Sequence, residues 1–127
     1  MAPVVNVFRK DSVNFKTSVA VTAQHREMLD QVLSVFDIMP DYDLDLMSKN
    51  QTLESLTGKI LNGISDLLKD IQPDLVFVQG DTTTTFAASL SAFYKKIPVG
   101  HIEAGLRTSN RYSPFPEEIN RRMTSSI

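Results

Sequence analysis

The chain has 127 residues, 42% of them hydrophobic and 22% charged, a composition that suits a globular domain with a real core. A net charge of -2 and a pI near 5.6 argue against a nucleic-acid polyanion as the main partner. The absence of cysteine excludes disulfides and thiolate metal sites, no apolar stretch approaches the ~20 residues of a membrane span, and MAPVVNVFRK lacks the apolar centre of a signal peptide, so a cytoplasmic protein without membrane contact is the expectation.

Residues 4–9 read as part of a helix with no strand before it. Residues 17–22 (TSVAVT) predict a strand, after which Ala23-Gln24-His25 lead into a helix over 26–36. There Met28, Leu29, Val32, Leu33 and Phe36 share one face. Residues 41–46 (DYDLDL) alternate polar and apolar and predict a short strand near an edge. Residues 52–69 predict a long amphipathic helix with Leu53, Leu56, Ile60, Ile64, Leu67 and Leu68 inward. Residues 74–79 form a short apolar run of the kind found in a strand buried on both faces. It stops at Gly80-Asp81, and a threonine-rich start then opens a helix through FAASLSAFYKK. Residues 98–102 predict the next strand, ending at Glu103-Ala104-Gly105. Ser113-Pro114-Phe115-Pro116 introduces Glu117 and Glu118 at the start of a last helix.

Strand and helix alternate throughout, which predicts an α/β fold with a parallel sheet. In such sheets ligands bind at the carboxyl ends of the strands, where Asp81 and Glu103 lie, and the 103–116 loop can bring Glu117 to the same edge. Taken singly, each acid has a plainer explanation. Asp81 before four threonines reads equally as a helix N-cap, and Glu117 in a first helical turn is favoured by the helix dipole whatever its role. Glu103 ends an apolar strand and needs a partner or a purpose, and Arg107 is a candidate partner. His101 reads as a hydrogen-bonded core histidine, and Lys95-Lys96 and Arg121-Arg122 as solvated helix ends. No cluster has metal-ligand spacing, and neither a Walker loop nor a nicotinamide fingerprint is present, so no metal and no cofactor are expected.

Four motifs in order, TAQHREMLDQV (22–32), QGDTTTT (79–85), GHIEAGLRT (100–108) and SPFPEEINR (113–121), resemble the non-hydrolysing UDP-N-acetylglucosamine 2-epimerases. The resemblance runs over nearly the whole chain. It implies a Rossmann-like parallel sheet forming part of the N-terminal half of a GT-B fold. Residues 1–127 would then be an incomplete N-terminal domain, with the family's opening strand and GTRPE-type turn, and the entire C-terminal domain, outside this sequence. It also implies interconversion of UDP-N-acetylglucosamine and UDP-N-acetylmannosamine by inversion at C2, with Asp81, Glu103 and Glu117 matching the family's acidic catalytic residues. Gln24 and His25 match residues that contact a second, regulatory UDP-N-acetylglucosamine, and Arg107 falls in a matching motif as a binding residue. A homodimer is implied for the full-length protein, and a hydrolysing relative or a non-catalytic, weakly sugar-nucleotide-binding remnant are the competing readings.

Overall fold

The computed structural model describes residues 1–23, 26–48 and 50–127, in two units, Met1–Met47 and Ser48–Ile127. In the first, α1 (Ala2–Lys10) has a proline in its first turn and Arg9 and Lys10 in its last, which suits the helix dipole at both ends. It is tied down by polar contacts: Asn6 donates to the Phe36 carbonyl at 3.2 Å, and Arg9 reaches the Met39 carbonyl and the Asp41 carboxylate, each at 2.9 Å. Strands β1 (Ala20–Val21) and β2 (Tyr42–Asp43) pair in parallel, and between them lies α2 (Arg26–Val35).

Two sequence expectations need correction here. The strands predicted over 17–22 and 41–46 shrink to two residues each. At one end the Asp41 carboxylate, rather than a facing carbonyl, takes the Val19 N–H at 2.7 Å. At the other, Asp45 adopts a φ of 41°, outside extended backbone. The apolar stripe of α2 is also largely open, with Met28 66% and Val32 44% exposed, and the helix buries no residue.

Arg26 bridges the start of α2 to the end of β2, donating to the Asp43 and Asp45 carboxylates, and these bonds raise its own pKa further. The hydrogen bond from Arg26 holds the Asp43 carboxyl below its usual value. A carboxylate whose pKa is lowered by folding adds stability above the unfolded value of about 4 and loses it as pH falls through the folded one. Asp43→Asn should therefore flatten the fall in melting temperature between about pH 5 and pH 3. An unchanged acid limb in the variant would show that the Arg26 pair does not act on stability.

The second unit holds α3 (Leu53–Ile71), β3 (Val76–Gln79), α4 (Thr83–Tyr94), β4 (Val99–Ile102) and α5 (Glu117–Thr124). Thr52 caps α3 by accepting the Ser55 N–H, and Gln72 ends it in the left-handed region. Leu56, Ile60, Ile64 and Leu68 recur every four residues and are buried, whereas Leu53 is 40% exposed. Helix α4 packs against that stripe with small residues, Ala87, Ala88, Ser91 and Ala92, and Ser91 donates to the Leu61 carbonyl across the contact at 3.0 Å. Strands β3 and β4 pair in parallel, Val76 opposite Val99 through Gln79 opposite Ile102, with α4 as the crossover. The expectation of a β3 strand buried on both faces is corrected. Val78 alone of its four residues is buried and Phe77 is 40% exposed, because α4 covers the sheet from one side. Among the described residues no helix is long and apolar enough to cross a membrane.

Candidate active site

The carboxyl ends of β3 and β4 meet at Gly80, whose N–H extends the ladder to the Ile102 carbonyl at 3.0 Å. Gly80 turns the chain with a φ of 77°, a conformation that strains any L side chain. Thr82, not Asp81, then caps α4 by accepting the Thr85 N–H, while the Thr85 hydroxyl donates back to the Gln79 carbonyl at 2.7 Å. The N-cap explanation of Asp81 is thereby removed. Its carboxylate instead pairs with Arg121, and its carbonyl accepts from Asn120 at 3.0 Å.

Glu103 follows β4 directly, at a φ of 63°. A left-handed glutamate costs of order 1–3 kcal/mol, strain that gathers at functional sites. Its carboxylate lies over the Gly80 turn. Oε2 accepts from Gln79 Nε2 at 3.2 Å and is 3.8 Å from where a Cβ on Gly80 would stand. The partnership with Arg107 is not formed. That guanidinium donates to the Ala104 and Leu106 carbonyls at 2.6 Å and to the Ser125 hydroxyl at 3.1 Å, bracing the loop after Glu103. His101 is half-buried, and its Nε2 bonds the Gly80 carbonyl at 2.7 Å. A carbonyl only accepts, so Nε2 carries the proton and Nδ1 faces the Ser125 hydroxyl at 3.5 Å as an acceptor.

Helix α5 closes the arrangement. Glu117 opens it, and its Oε2 is buried without a hydrogen-bond partner among the described residues. The next residue, Glu118, is fully buried. It accepts the Thr108 N–H at 3.0 Å and stands 3.4 Å from Arg122 Nε, anchoring the 103–116 loop to the helix. Arg122 is solvated as expected, but Arg121 is not, its side chain being 6% exposed. Sequence reasoning missed Arg121 and Glu118. The available signal was that Arg121 follows Glu117 by one turn, which puts both on one helix face.

Asp81 and Glu103 are therefore gathered around one turn, and α5, which begins with Glu117, is bonded to that turn through Asn120 and Arg121. Gln24 and His25 lie outside the described residues. A hollow of about 560 Å³ lined by Phe93, Tyr94, Lys96, Ile97, Pro98, Val99 and Ile127 lies where β4 begins, the opposite end of that strand from Glu103, and has no acid in its wall among the described residues.

A model of the UDP-N-acetylglucosamine 2-epimerase family matches residues 8–127. A UDP-N-acetylglucosamine 2-epimerase of Neisseria meningitidis is 62% identical over 127 residues, all of this chain and 34% of that protein. A putative UDP-N-acetylglucosamine 2-epimerase of Thermotoga maritima is 60% identical, over all of this chain and 33% of its own length. The crystal structure of the Neisseria meningitidis UDP-GlcNAc 2-epimerase bound to UDP-GlcNAc superposes with a TM-score of 0.91 at 61% identity, covering 99% of this chain and 34% of that one. The chain thus spans about a third of the length of the curated relatives it matches. Its α/β architecture with parallel strands is that of a Rossmann-like half of a GT-B fold. In sequence and in fold, the chain belongs to the UDP-N-acetylglucosamine 2-epimerase family.

Proposed function

We propose that the protein containing these residues interconverts UDP-N-acetylglucosamine and UDP-N-acetylmannosamine, with Asp81, Glu103 and Glu117 as its acidic machinery. The observation that carries this reading is the convergence of Asp81 and Glu103 on the Gly80 turn in a chain of this family. A carboxylate on one face takes the C2 proton. The C–H electrons form the C1–C2 double bond, and the C1–O electrons leave with UDP. Re-addition of UDP at C1 with protonation from the other face of C2 gives the epimer. Glu103, exposed and with an amide as partner, suits proton transfer. Asp81, held by Arg121, suits orientation of the sugar. Glu117, with a buried oxygen that has no hydrogen-bond partner among the described residues, suits the second proton transfer.

The same reading makes residues 1–127 part of an N-terminal Rossmann-like domain whose cleft a second domain completes. It further takes Gln24 and His25 to a second, regulatory UDP-N-acetylglucosamine, Arg107 to substrate binding through the loop it braces, and the whole protein to a cytoplasmic homodimer.

The test is deuterium exchange at C2 of UDP-N-acetylglucosamine in D2O. A full-length chimera carrying these 127 residues in place of the matching third of the Neisseria meningitidis relative should exchange and form the manno epimer. A folded chimera without exchange would sink the proposal. The 127 residues alone should give no exchange, and substantial exchange from them would show that no second domain is needed.

A further inference from the structure

We infer that Arg121 is the positioning residue of this site, one guanidinium that sets Asp81, the loop after Glu103 and the helix of Glu117 in register. This inference rests on the epimerase reading above.

Arg121 lies in the last turn of α5, where a cation gains from the helix dipole while staying in water. Its burial therefore has another cause, since a guanidinium leaves water at a high cost unless its charge and its N–H groups are met. One terminal nitrogen pairs with the Asp81 carboxylate and the other donates to the Leu106 carbonyl at 2.9 Å. Asn120, the residue before it, holds the Asp81 carbonyl at 3.0 Å, so both the backbone and the side chain of Asp81 are fixed from α5. Leu106 belongs to the loop that leaves Glu103. Glu117 stands one turn earlier on the same face of α5, its Oε2 buried and without a hydrogen-bond partner among the described residues, as is Arg121 Nε. Three segments, each carrying one of the proposed catalytic acids, thus converge on one planar fork. A lysine has the charge but not the fork, and cannot hold Asp81 and Leu106 in the same geometry.

Because Arg121 is buried, its loss should act on turnover rather than on substrate affinity. In the full-length chimera, Arg121→Lys should lower kcat for C2 exchange by about 10²-fold, the cost of a misplacement near 1 Å. KM should stay within about threefold, and Arg121→Met should be slower still. Asp81→Asn serves as the reference. If Asp81→Asn exchanges like the unaltered chimera, the epimerase reading of Asp81 fails and this inference with it. If Asp81→Asn is dead while folded Arg121→Lys and Arg121→Met keep full kcat, this inference alone is overturned. Should Arg121→Met fail to fold, Arg121→Lys decides by its kcat at an unchanged melting temperature. Failure of both to fold would overturn the inference by making the residue a support of the fold alone.

Discussion

Glu103→Gln should lower C2 exchange in the full-length chimera by about 10²–10⁴-fold, the usual contribution of a positioned proton-transfer group, with its melting temperature unchanged. The amide has the shape of the carboxylate and still accepts from Gln79, so the contact at 3.2 Å survives while the ability to take a proton is lost. Glu103 is exposed, and substitutions at such positions change stability by ~0.5 kcal/mol or less. The left-handed backbone at Glu103 is no harder for glutamine than for glutamate. Glu118→Gln is the instructive contrast. That carboxylate is fully buried and ion-paired with Arg122, so its neutralisation should lower the melting temperature first. Retained exchange in Glu103→Gln would pass the proton transfer to Glu117 or Asp81.

The sequence showed the acids because the rule that places them is local. An apolar run that ends in Gly-Asp or Glu-Ala-Gly puts a carboxylate at the carboxyl end of a parallel strand, whatever the rest of the chain does. Helices α3 and α4 were legible for a similar reason, their periodicity and polar starts being contained within each segment, although the cap of α4 proved to be Thr82 rather than Asp81. What connects the acids was not legible. The pair Arg121-Arg122 reads as solvated, and only the packing of α5 on α4 turns one arginine inward and leaves the other in water. Arg107 looked like the partner of Glu103 because a carboxylate that ends an apolar strand needs one and this arginine stands near it in the sequence. In a loop, however, two backbone carbonyls lie closer to its guanidinium. The strands of the first unit were overextended by the same kind of error, because alternation cannot reveal an aspartate at φ 41° or a side chain standing in for a ladder bond.

Ile60→Ala tests the frame that carries the site, and it should cost about 2–5 kcal/mol. Ile60 is fully buried at the middle of the α3 stripe, and α4 approaches α3 closely only because alanine and serine line the facing side. Removing three methyl or methylene carbons there leaves a cavity that short side chains cannot fill. A unit the size of Ser48–Ile127 has a total stability of about 4–12 kcal/mol, so this one change removes much of it. Far-UV circular dichroism of the full-length chimera in urea should show the midpoint of the transition that unfolds this unit falling with the slope unchanged. Leu53→Ala, at a site 40% exposed on the same helix, should cost about 1 kcal/mol or less. Equal losses at the two positions would show that the α3–α4 contact is not the core. The two experiments separate the levels of the structure. Ile60→Ala should reduce the folded fraction while each folded chimera molecule still exchanges at C2, whereas Glu103→Gln leaves the folded fraction intact and removes exchange, because Ile60 lies in the α3 stripe that packs on α4 while Glu103 stands at the Gly80 turn.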